Sequence, residues 1–186
     1  MKLSFTNFKI LDLLEGLALT TLSVIFSIAV VSYFNIKSKY LGYHLDLISP
    51  VLIAPFEEII FRHHFLKYLT KKFNLFISIF LSSILFMIFH YDLFGSLVFS
   101  IVMTFLYFKY KSITVPILCH AFNNLIGVID SILFMYNPKY NITCVDIEIF
   151  LIKHFGMVAG GSLLIIFLWM LCRFNGEKLG LQNQLI

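Results

Sequence analysis

Leu13–Phe34 reads LLEGLALTTLSVIFSIAVVSYF, a run of 22 residues in which Glu15 is the only charge. At about 1.5 Å of helix rise per residue, roughly 20 apolar residues cross a bilayer's hydrocarbon core. The run is too long for the apolar part of a signal peptide, and no convincing small-x-small cleavage site follows it, so it predicts an uncleaved transmembrane helix. The whole chain agrees. Of its 186 residues, 60% are hydrophobic and only 13% charged, with a mean hydropathy of +0.92. One soluble core of this size could not hide so much apolar surface, and a disordered or collagen-like chain is excluded by the same composition. A net charge of +4, spread along the chain, suits membrane orientation rather than nucleic-acid binding.

Further apolar segments follow at Leu47–Tyr68, Leu75–Phe89, Leu93–Phe108, Ile113–Tyr136 and Phe155–Cys172. No alternating strand pattern occurs, and a backbone inside lipid must satisfy its own polar groups, so each is read as a helix. The expected architecture is an all-α polytopic bundle of six membrane helices, or seven if Ile147–Lys153 dips into the bilayer. It divides into an N-terminal helix and loop (1–46), a core (47–136) and a C-terminal loop and helix (137–186). The third and fourth segments, joined by little more than His90-Tyr91-Asp92, predict a tight hairpin. With six spans, Lys2, Lys9, Lys67, Lys71, Lys72, Lys109, Lys111, Arg173 and Lys178 fall on one side; Lys37, Lys39, Lys139 and Lys153 fall on the other. The excess of basic residues predicts a multi-pass cell-membrane protein with both termini in the cytoplasm. Cys119, Cys144 and Cys172 lie at wide spacings with no CxxC pair, so neither a disulfide framework nor a zinc ribbon is expected.

A charge deep in a bilayer costs at least ~2.5–3.5 kcal/mol on insertion scales, so polar residues inside apolar segments need a reason to be there. Glu57, Glu58 and Arg62 interrupt the second segment, His90 ends the third, and His120, Asn123, Asn124 and Asp130 lie in the fifth. Glu58 and Arg62 are four apart and can pair on one helix face, while Glu57 sits about 100° away and is left for chemistry. His120 and Asn124, also four apart, present two hydrogen-bonding heads together. Span lengths put Glu57 and His120 near mid-membrane but His90 near the end of its helix, a mismatch of several ångströms.

Three patterns occur in order: Glu57-Glu58-Ile59-Ile60-Phe61-Arg62 (EExxxR), Phe86 to His90 (FxxxH) and His120 to Asn124 (HxxxN). In membrane segments and in this sequence, they resemble the motifs of the CPBP intramembrane proteases, also called Abi. That family includes type II CAAX prenyl endopeptidases and bacterial bacteriocin-processing or self-immunity proteins. The resemblance implies hydrolysis of a peptide bond in a membrane-associated peptide or protein. It makes Glu57 the general base that activates a water held with His90, and His120 and Asn124 the stabilisers of the oxyanion. Glu58 and Arg62 would brace the site. Such fixed donors are worth about 2.7–4 kcal/mol each in a water-poor chamber. The chain departs from the family pattern at His63, where glycine is frequent, and in being short.

No cofactor is required by this scheme. The alternative is zinc, held by Glu57, His90 and His120 as three protein ligands with an open position, although no HExxH is present. A competing reading of the whole chain is a non-catalytic immunity or regulatory partner in which the polar residues only hold the bundle together. A proton-coupled transporter would use similar groups but is expected to show inverted repeats, which are not found. His44, His63, His64 and His154 match no pattern and are read as interfacial or loop residues. The substrate's identity and the oligomeric state leave no mark on the sequence.

Overall fold

The computed structural model describes residues 9–36, 49–90 and 92–174, and among these every regular element is helical. The order is α1 (Ile10–Tyr33), α2 (Ser49–Glu58), a π-helical segment (Ile59–Phe65), α3 (Leu66–Thr70), α4 (Leu75–Ile88), α5 (Leu93–Tyr110), α6 (Thr114–Tyr136), α7 (Pro138–Lys153) and α8 (Phe155–Phe174). His44 and the basic residues Lys2, Lys37, Lys39 and Lys178 lie outside the described residues.

Local chemistry sets the helix ends. Asn74 caps α4 by accepting from the Ile77 amide at 2.9 Å, and Asp92 caps α5 by accepting from Gly95 at 3.0 Å. Lys111 ends α5 in the left-handed region at φ 50°. α4 ends at Ile88 and α5 begins at Leu93, and the two helices pack against each other as the hairpin expected from the sequence. The second apolar segment is one uninterrupted helical run, α2 through α3, whose hydrogen bonding loosens to i→i+5 around Arg62. Its last turn shows this, with the Leu66 amide donating to Phe61 O.

The core lies where α1, α4, α5, α6, α8 and the π segment meet: Leu19, Phe61, Phe86, Phe99, Val102, Met103, Leu106, Val115, Cys119 and Ile166 are all buried there. α1 reaches α6 through Gly16, where an added Cβ would stand 2.8 Å from Cys119 Sγ and 3.1 Å from Val115 Cγ1. Glu15, one residue earlier, bonds Lys109 and Tyr110 of α5 and Trp169 of α8. Cys119 and Cys144 are unbridged.

A helical membrane bundle is therefore the architecture, with two departures from the expected spans. Among the described residues, three helices are long and apolar enough to cross a membrane, namely Ile10–Tyr33, Leu93–Tyr110 and Thr114–Leu133, rising to four if Cys144–Lys153 and Phe155–Leu171 form one span bent by 84°. α4 has 14 residues, about 21 Å of helix, which falls short of a ~30 Å hydrocarbon core. And the segment before α8, expected as a loop or, at Ile147–Lys153, a seventh span, is a helix from Pro138 to Lys153.

Candidate active site

Four elements supply the polar cluster. Glu57 and Glu58 end α2, Arg62 lies in the π segment, His90 follows α4, and His120 sits near the end of the second turn of α6. α4 ends at Ile88, and His90, two residues beyond it, comes to within 3.9 Å of Glu57, so the several-ångström mismatch expected between them is not found.

His120 Nε2 is 3.5 Å from Glu57 Oε2, and His90 Nε2 is 3.9 Å from the same oxygen. One ligand atom from each of Glu57, His90 and His120 lies within 4.8 Å of the others. These gaps exceed a direct hydrogen bond and are wide enough for a small shared guest such as a water. Exposure is uneven. The side chains of His90 and Glu57 are 28% and 22% accessible, whereas His120 is 3% and Glu58 is fully enclosed. The cluster is thus approached from the Glu57–His90 side, with His120 as its floor.

Each imidazole is tied down at its other nitrogen. His90 Nδ1 is 2.7 Å from the Phe86 carbonyl oxygen; a carbonyl only accepts, so Nδ1 carries the proton. His120 Nδ1 is 2.8 Å from Glu58 Oε1, and donation to that carboxylate assigns its proton likewise. Both Nε2 atoms are therefore the ones turned toward Glu57.

Glu58 and Arg62 form the buried pair expected from their spacing: Arg62 Nε is 3.2 Å from Glu58 Oε2 with both side chains fully enclosed. Arg62 Nη2 donates to Ser100 Oγ at 3.2 Å, and its guanidinium carbon lies 4.4 Å from the centre of the Phe86 ring. Glu58 does more than brace Arg62, because its second oxygen holds His120. Spacing alone could not show a bond between residues 62 positions apart.

Asn124 is placed differently from its expected partner group. Its Nδ2 donates to the carbonyl of Pro50 at 2.7 Å. Pro55 inside α2 has no N–H, which leaves the Val51 carbonyl without its usual i+4 donor and loosens this turn. Asn124 reaches the carbonyl next to it. An amide nitrogen carries two hydrogens, so one N–H remains for another acceptor.

Asp130 is exposed on α6 and takes no part in the cluster. His63 meets Tyr107 Oη at 3.3 Å through Nδ1, His64 is exposed, and His154 rests against Phe150, with ring centres 4.5 Å apart. What the sequence reading missed is Phe86, whose ring stacks on His90 with centres 4.1 Å apart. The i, i+4 spacing of FxxxH held that signal, since such residues share a helix face.

No curated protein and no solved structure matches the chain. Residues 41–126, a little under half of it, match the family model described as Rce1-like, Type II CAAX prenyl endopeptidase Rce1-like. The matched stretch holds Glu57, His90, His120 and Asn124, and it supports membership of the CPBP/CAAX protease family for this membrane chain.

Proposed function

We propose that the chain is an intramembrane endopeptidase in which Glu57 and His90 activate a water and His120 with Asn124 receives the oxyanion. The observation that carries the reading is the convergence of His90 Nε2 and His120 Nε2 on one oxygen of Glu57, at 3.9 and 3.5 Å. A water bound there can give a proton to the carboxylate while its oxygen attacks a carbonyl presented from the open side. The Asn124 N–H not used by Pro50 is available as a donor to the developing oxyanion. His120 can donate from Nε2 only when its ring carries both protons, because Nδ1–H is committed to Glu58. Its substrates would be membrane-associated peptides, either the tail of a lipidated protein or a small bacteriocin- or pheromone-type precursor.

A second reading rests on the same compact donor set. Glu57, His90 and His120 offer a carboxylate oxygen and two imidazole nitrogens within 4.8 Å of one another, which fits three-ligand zinc binding with an open fourth position. The bonds from the two Nδ1 atoms to Phe86 O and Glu58 are the kind that orient metal-binding imidazoles. A zinc ion held there would act as a Lewis acid on the scissile carbonyl. The two readings need opposite states of His120 Nε2, protonated in the first and bare in the second.

The test is peptide cleavage in liposomes, read by mass spectrometry against a library of membrane-active peptides. Wild type and Glu57→Gln are compared, each with and without a zinc chelator. Cleavage that is lost in Glu57→Gln and kept with chelator supports the metal-free reading; loss in both supports zinc. Full activity in Glu57→Gln overturns the peptidase mechanism, and no cleavage by folded wild type favours a non-catalytic membrane partner.

A further inference from the structure

The ion pair beneath the cluster touches both histidines. On one side the contact is direct, through the 2.8 Å bond from His120 Nδ1 to Glu58 Oε1. On the other side it runs through an aromatic ring. The Arg62 guanidinium lies over Phe86 at 4.4 Å, and the Phe86 ring stacks on the His90 imidazole at 4.1 Å with 23° between planes. Phe86 is 1% exposed, so water does not weaken the attraction of the guanidinium to the ring face. The same residue's carbonyl takes the His90 Nδ1 proton. Phe86 thus fixes His90 at two points: its ring sets the imidazole plane and its carbonyl sets which nitrogen points outward. It also meets the His120 ring edge-on, with centres 5.9 Å apart.

We infer that Phe86 is a positioning residue for both histidines, coupling the Glu58–Arg62 pair to His90 as Glu58 couples it to His120. An exposed histidine at the end of a helix would ordinarily sample several rotamers. His90 is more than a quarter exposed, and the stacked ring and carbonyl supply the restraint that burial does not. Leucine at 86 would keep the backbone carbonyl and most of the apolar volume while removing the aromatic face. The Phe61→Leu variant is the matched control, because Phe61 is buried and packs edge-on against Phe86, with centres 5.2 Å apart, but has no bond to either histidine ring.

The test uses the full chain in lipid nanodiscs with ¹⁵N-labelled histidine. In wild type, His90 is expected as a single Nδ1–H tautomer, and His120 is expected to keep its proton on Nδ1, held by Glu58. In Phe86→Leu, His90 is expected to average between tautomers while Phe61→Leu keeps the wild-type pattern. A second arm rests on the peptidase reading: with a peptide that wild type cleaves, Phe86→Leu lowers kcat about 10- to 100-fold with KM little changed, the usual cost of losing a group that orients a site's ligands. Wild-type His90 already averaging between tautomers would overturn the inference without any variant. So would a folded Phe86→Leu protein with a fixed His90 tautomer and wild-type kcat. Loss of cleavage in every protein with the tautomer pattern intact would sink the peptidase reading and leave the positioning role standing.

Discussion

Glu58 and Arg62 are fully enclosed, and each is the other's counter-charge at 3.2 Å. Removing one partner strands a charge in a medium that cannot solvate it, at a cost of about 3–5 kcal/mol. Glu58→Ala is therefore expected to lower the unfolding temperature of detergent-solubilised protein sharply. The double variant Glu58→Met/Arg62→Met removes both charges and is expected to recover most of that loss. Activity should not return with stability, because the double variant still lacks the acceptor for His120 Nδ1. Thermal unfolding paired with peptide cleavage separates the two effects. A double variant that regains full cleavage would show that the pair is only structural.

Among the elements, the π-helical stretch Ile59–Phe65 joins two groups that the site needs in register, the carboxylates ending α2 and the Arg62 side chain that meets Phe86 of α4 and Ser100 of α5. Such stretches arise when a helix carries one residue more than regular bonding accommodates. Deleting the exposed Ile60 is expected to restore regular α bonding and turn one side of the break by about 100° against the other. That change should abolish cleavage while circular dichroism keeps its helical signal; an active deletion variant would mean the register is unimportant. This is also where the sequence was least legible. Long apolar runs marked α1, α5 and α6 to within a few residues, because lipid demands length and apolarity together. A shift from i+4 to i+5 bonding changes neither, so the π segment leaves no mark in composition. α7 escaped because Lys139, Asp146, Glu148 and Lys153 break its apolar pattern. The candidate site was legible as types and spacings at Glu57, His90 and His120. The Asn124–Pro50 bond depends on which carbonyl faces α6, and only the packed structure shows that.

At the scale of the whole molecule, the matched stretch 41–126 excludes α1, α7 and α8, yet its buried core is completed by α1 and α8. Leu19 from α1 and Ile166 from α8 belong to the same core as Phe86 and Phe99. Gly16 packs against Cys119, the neighbour of His120, at a distance that admits no side chain. The carboxylate of Glu15 gathers Lys109, Tyr110 and Trp169, drawing α1, α5 and α8 together at one end. Two outcomes follow. Glu15→Ala leaves those three donors without their acceptor, at an expected cost of about 1–3 kcal/mol for a part-buried group, seen as a lower unfolding temperature. Because the clasp touches none of Glu57, His90 or His120, kcat measured well below that temperature should stay near wild type. Gly16→Val, in contrast, pushes directly on Cys119 and Val115, and overpacking of this kind costs about 1–3 kcal/mol. The strain falls on the turn of α6 that carries His120, so this variant should lose kcat as well as stability. Measuring both variants for unfolding and turnover distinguishes a remote clasp from a contact that sets the position of a site helix. Equal kcat losses in the two would mean that α1 acts on the site as one rigid unit.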